Sequence, residues 1–263
     1  LTFRSLVWLP VVVVVAFLAA WALVPLPARE PLLFVEVESS KAMALLGFAV
    51  AAFVFDPGDY LRRAWLLLGA CTLLLFARDV FAIAAHPRPG DTAALVIQGA
   101  FAVGGNGCSV LGTWMLARTW KVAGLDEGES RAGGGLVIAA LVVALLVSGW
   151  PLAMDVRALA AGDVSAVVPL SSDVADAIVI VLLAPLASTA LALRGGVLRW
   201  PWAFLTMNGL LWLVFDVAYG GMTVAHVDPA RAHAGLEALR TIATLYGFSA
   251  GFSQRGVREL ASA

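Results

Sequence analysis

The run LVWLPVVVVVAFLAAWALVPL, residues 6–26, contains no charged side chain. A segment of this length and composition crosses a bilayer as a helix, because in hydrocarbon each backbone amide must find its hydrogen bond within the segment. Its five consecutive valines, Val11 to Val15, are compatible with a helix for that reason. The apolar stretch from Val7 exceeds the core of a secretion signal and shows no small-residue cleavage site. Leu1 at the first position fits a non-standard start codon and trimming equally well.

Outward from this run the same pattern recurs. Candidate spans fall at residues 6–26, 37–55, 64–85, 92–117, 134–154, 174–193, 202–225 and 235–252. The chain of 263 residues is 61% hydrophobic and only 13% charged, with a mean hydropathy of +0.92. Soluble domains are about half apolar and about a quarter charged. The expected fold class is therefore all-α: a polytopic integral membrane protein of about eight transmembrane helices at roughly 20 residues each, forming one membrane domain over residues 1–263. A large extramembrane catalytic domain, a nucleic-acid module and a disulfide scaffold are excluded. The net charge of −1 offers no field for a polyanion, so no nucleic acid is expected as a partner. Cys71 and Cys108 lie in apolar stretches and read as small hydrophobes.

Loop charges set the direction of crossing. Arg4, Arg62, Arg63, Arg118, Lys121, Arg131, Arg194, Arg199, Arg255 and Arg258 fall on one side, and Arg29, Lys41, Arg88, Arg157 and Arg231 on the other. This bias predicts cytoplasmic termini and an even number of spans. The eighth span is the weakest, because it carries Glu237 and Arg240. These stand three apart, where they can pair and reach the headgroups; an interfacial amphipathic helix is the alternative.

An offset of 137 residues matches Leu61-Arg62 and Trp65 with Leu198-Arg199 and Trp202, Asp79-Val80 with Asp216-Val217, and Asp91 with Asp228. This predicts an internal repeat of residues 1–130 and 131–263, two four-helix halves running parallel. Chance recurrence of interfacial Arg and Trp is the alternative.

Charged residues deep in spans are scarce and must face a bundle interior, water or a partner. Arg78 and Asp79 lie in the outer third of the third span, Asp216 at the same height in the seventh. Asp173 and Asp176 head the sixth, and His86 and His226 close the third and seventh. Arg78 is expected to bridge to Asp216 or Asp176, not to its neighbour Asp79. The predicted ligand or ion pocket is thus Arg78, Asp79, Asp173, Asp176, Asp216 and His226, open to the outside. Its excess of carboxylates favours a cation, a proton or a small polar ligand, while a purely structural clamp is the alternative. No tight metal-ligand spacing emerges, and no metal or cofactor is assigned. Ser171, Ser172, His226 and Asp176 make no convincing catalytic set, so the reading leans away from an enzyme.

The fourth span carries Gln98, Gly104, Asn106, Cys108 and Gly112, with Asn208 in the seventh. Gly104, Cys108 and Gly112 recur every four residues, a small face that admits another backbone; an unwound segment lining a pore is the alternative. Gly247 and Gly251 repeat that spacing in the eighth span.

The stretch Val168-Pro169-Leu170-Ser171-Ser172-Asp173-Val174-Ala175-Asp176, followed by Ala184-Pro185-Leu186, Trp202 and Asp216, resembles part of the multi-helix sensory region ahead of bacterial histidine kinases and diguanylate cyclases. The resemblance spans about 50 residues with loosely matching motifs and lacks the aromatic residues usual before the proline. It implies stimulus sensing or membrane placement in the bacterial inner membrane, without catalysis in the helices. No coiled coil or output domain occurs up to Ala263, so a signal would pass to a membrane partner subunit or a second copy. Expected partners are those, lipids, and a small cation or polar ligand. A small transporter or channel is the second expectation.

Overall fold

The computed structural model describes residues 2–85, 92–122, 131–193, 195–224 and 233–261. Among the described residues there are eight α-helices, one short 3-10 turn and no strand. The helices are α1 (Phe3–Leu23), α2 (Leu26–Phe53), α3 (Tyr60–Ala85), α4 (Thr92–Val122), α5 (Arg131–Ala160), α6 (Val167–Ala192), α7 (Arg199–Val224) and α8 (His233–Ala261). Six of them, α1 and α3 to α7, supply segments long and apolar enough to cross a membrane. The chain is a multi-pass, all-helical membrane protein.

Hydropathy placed the helix starts too late in two cases. α2 begins at Leu26 and not at residue 37, and α6 begins at Val167 and not at residue 174. A membrane helix need not stop where lipid stops: charged residues such as Glu36 and Asp173 break an apolar run without breaking backbone hydrogen bonding. Asp173 and Asp176 consequently sit one to three turns inside α6, not at its head.

The helices gather into two compact units. One comprises Leu1–Val54 and Thr189–Ala263, the other Phe55–Ser188; the division falls elsewhere than between residues 130 and 131.

In the first unit α8 is the centre, packed by α1, α2 and α7. Thr241, Ala243, Leu245, Ser249, Ala250 and Ser253 on it are shut off from solvent. α1 and α7 run antiparallel to α8, and α2 runs parallel to it, as the contact pairs show. The Ser249 hydroxyl donates to the Leu6 carbonyl at 2.9 Å and the Tyr246 hydroxyl to that of Val7 at 3.3 Å. Asn208 Nδ2 of α7 donates to the Ala243 carbonyl at 2.7 Å, and Phe204 stacks on Tyr246. Between α2 and α8 the backbones touch. A Cβ at Gly47 would lie 2.6 Å from Phe248 Cα, and one at Gly251 would strike the Gly47 backbone. Small residues allow this approach, and close packing drives association where lipid removes the hydrophobic effect.

In the second unit α3 and α4 pack antiparallel through small residues. A Cβ at Gly112 would meet the Ala64 carbonyl at 3.1 Å, and one at Gly105 the Leu75 side chain at 3.4 Å. Gly104 faces Leu74 in the same way. α4 stays a continuous helix through Gly104-Gly105-Asn106-Gly107, so no unwound segment exists there; Gly104 and Gly105 serve helix packing, whereas Gly107 has open space beside it. On its other side α4 approaches α6, where a Cβ at Gly99 would lie 2.9 Å from Val168 Cγ2.

Candidate functional site

Both units hold polar side chains gathered between helices. In the second unit the cluster is set up by the turn from α5 to α6. α5 ends at Gly162, whose φ of +92° is the left-handed conformation that closes a helix C-terminus; the Asp163 amide then donates back to the Ala158 carbonyl at 3.0 Å. Asp163 Oδ1 accepts from the Ser165 amide at 3.0 Å and the Ser165 hydroxyl at 2.6 Å, which starts the 3-10 turn leading into α6. This tight reversal folds α6 back beside α5 and brings the Asp155 and Asp173 carboxyls within hydrogen-bonding reach of each other, with Asp176 one turn further along. Among the described residues none of these three carboxylates is ion-paired.

Asn106 joins this group from α4: its Nδ2 donates to the Ser172 hydroxyl at 2.9 Å and the Ser171 hydroxyl at 3.3 Å. Asn106 and Ser171 also border a shallow groove of about 290 Å³ between α4 and α6. Cys71 of α3 reaches toward Cys108 and Ser109 of α4 and toward Asp176. Both cysteines are free thiols.

Arg78 does not serve the carboxylates of α6. Its Nε donates to Asp79 Oδ1 at 2.7 Å, in a pair with side chains 34% and 23% exposed. The expectation that Arg78 would not pair with its neighbour Asp79 is thereby corrected. Neighbouring helix positions point about 100° apart, at 3.6 residues per turn, yet the long arginine side chain curls along the helix surface and closes the gap. Asp216 belongs to the first unit, in α7. His226 and His86 lie outside the described residues, as do Asp91 and Asp228. Gln98 is half-buried on α4, and Asn208 is spent on the Ala243 carbonyl. Among the described residues no three His, Cys, Asp or Glu side chains gather closely enough to hold a metal ion.

The first unit carries the more deeply buried charges. On α2, Lys41 Nζ donates to Glu38 Oε1 at 2.6 Å, with both side chains only 9% exposed. On α8, Arg240 Nη1 donates to both Glu237 oxygens, at 2.8 and 3.0 Å, and its guanidinium stands 5.8 Å from the Phe215 ring centroid of α7. The i,i+3 pairing of Glu237 and Arg240 was legible in sequence, but the pair is turned into the packing of α8 instead of out to headgroups.

Beside that pair lies Glu36 of α2. Both its carboxylate oxygens are enclosed and without a well-aligned hydrogen bond, and so is Oγ1 of the fully buried Thr241. Burial pushes the Glu36 carboxyl up to about 7; the nearby Thr241 hydroxyl pulls it down, Glu237 pushes it up, and Arg240 pulls it down. Glu36, Lys41, Asp155 and Thr241 escape a reading by hydropathy. The available signal was an acid and a base three residues apart in both α2 and α8, a spacing that neutralises charge for burial.

Compared with known proteins, the chain matches no family model, no curated protein and no solved structure.

Proposed function

We propose that the protein is an integral membrane protein of sensor or accessory type, with an outward-facing polar pocket for a small cation built on the α5–α6 turn. The observation that carries this reading is the meeting of Asp155 and Asp173, with Asp176 close by. Like charges at that distance repel unless a proton or a cation intervenes. With Arg78 occupied by Asp79, the group keeps its excess of negative charge. The carboxylates do not converge as metal ligands do, so the occupant is a hydrated or organic cation that they border instead of enclosing. The ring of Asn106, Ser171 and Ser172 adds neutral donors and acceptors for a polar solute.

In this reading α2 and α8 also cross the bilayer, giving eight spans. The apolar part of α2, after Glu36, makes the crossing and leaves Glu36 at its outer edge. Loop charges favour cytoplasmic termini in a bacterial inner membrane, and the resemblance to bacterial sensory regions favours stimulus reception with output through a partner subunit or a second copy. The repeat of 137 residues supports descent of two parallel halves from one. A transporter is less favoured, because Asn106 and Asn208 are both taken up by bonds between helices.

The test is thermal melting of the protein in nanodiscs against a panel of ammonium, guanidinium and choline. At least one cation should raise the melting temperature of the wild type, and Asp173→Asn/Asp176→Asn should abolish the rise. No stabilisation by any of them, or the same rise in the variant, removes the pocket. Flux of the stabilising cation into proteoliposomes would replace the sensor reading with transport.

A further inference from the structure

The Glu36 site lies in the other unit from the α5–α6 pocket and has no part in the reading above. Four groups meet there on two parallel helices: Glu36 of α2, and Glu237, Arg240 and Thr241 of α8. Glu237 and Arg240 neutralise each other through two hydrogen bonds. Glu36 is thus one acid in excess, with its two oxygens enclosed beside the fully buried Thr241 hydroxyl. An enclosed carboxylate with a single hydroxyl beside it as donor is strongly disfavoured. The remaining surroundings offer no compensating base. On α2 itself Lys41 is held by Glu38, Arg29 lies over the Trp21 ring at 4.3 Å, and Glu30 adds a further acid. α7 brings Phe215 under Arg240 and, next in sequence, Asp216. α1 carries only Arg4, at its far end.

We propose that Glu36 is a proton-binding site, neutral when α2 and α8 are fully packed, and that loss of its proton to water loosens this end of the α2–α8 contact. The chemistry is a single ionisation: the carboxyl O–H breaks, the proton leaves to solvent, and the carboxylate keeps the electron pair. One proton balances the one excess acid. The Thr241 hydroxyl donates toward the charged form and only partly offsets the burial of the carboxylate, so protonation removes the larger cost. At the other end the helices are locked by the Gly47–Gly251 backbone contact, so that the response is a pivot about the glycines and not separation. The raised pKa agrees with this. A carboxyl pKa raised by folding contributes stability that is present below the unfolded value and is lost as pH rises toward about 7.

The experiment follows the infrared carbonyl stretch of protonated carboxyls, together with the melting temperature, as pH is raised from about 4.5 to about 8.5, across the reference carboxyl range and beyond. Among the carboxyl bands lost over this range, the wild type should show one with a midpoint near 7, and its melting temperature should fall over the range leading up to that midpoint. Glu36→Gln should lack the band and flatten the fall. Glu237→Gln, which removes a like charge and frees Arg240 for Glu36, should move the midpoint down by about one pH unit or more. Thr241→Val should move it up. A band that persists in Glu36→Gln, or midpoints unmoved in both Glu237→Gln and Thr241→Val, overturns the proposal. So does a midpoint that shifts with sodium concentration, which would make the occupant a metal cation.

Discussion

The unit centred on α8 and the unit of α3 to α6 treat polar residues in opposite ways. In the first, the least apolar helix is the most enclosed, and its neighbours α1, α2 and α7 shield its hydroxyls and charges from lipid. In the second, the most apolar surfaces face outward: α5 leaves Ile138 65%, Leu145 72% and Leu146 77% exposed, and its polar residues gather where it turns into α6. In a bilayer the medium outside is as apolar as the inside of a soluble protein, so burial goes to groups that need partners and not to those that avoid water. High hydropathy marks contact with lipid; low hydropathy with regular helical spacing marks a bundle centre.

This contrast can be broken most sharply at the buried ion pair of α2. Lys41→Ala leaves Glu38 enclosed and without its ammonium, and should destabilise by about 3–5 kcal/mol in chemical or thermal unfolding. Replacing both with methionine should restore most of that loss. Arg255→Ala, at an exposed pair on α8 whose partner is Glu259, should change stability by about 1 kcal/mol or less. Equal effects at the two sites would mean that the core of the first unit is wet.

Next in size is the backbone contact. Gly251→Ala puts a methyl into the Gly47 backbone and should cost about 3 kcal/mol, near the upper end for overpacking. Gly149→Ala, with nothing within 4 Å of its added carbon, should stay within about 0.5 kcal/mol. The smallest effect is expected in the second unit, where Asn106→Ala deletes the bonds to Ser171 and Ser172. Its loss should be about 1 kcal/mol, read as a melting-temperature difference that disappears in a Ser171→Ala/Ser172→Ala background.

Fold class and helix order could be read from the chain because apolar runs of this length have one use. α1, the continuous α4 with its small-residue face, and the i,i+3 pair in α8 all follow from local spacing. What could not be read is anything set by the third dimension. The reach of Arg78 to Asp79 depends on how a flexible side chain lies, which residue spacing alone underestimates. Asn106 meets Ser171 and Ser172 only because α6 starts early and packs on α4, which no spacing within either helix shows. Glu36 and Thr241 come from helices about 200 residues apart, and no local pattern links them.

The joining of α2 to α8 also bears on how the molecule is made. The first unit is assembled from the opening and closing stretches of the chain, so on the ribosome α1 and α2 are finished long before the helix they wrap. Glu38 and Lys41 can neutralise each other within α2 from the start, whereas Glu36 has no Thr241, Glu237 or Arg240 beside it until α8 emerges.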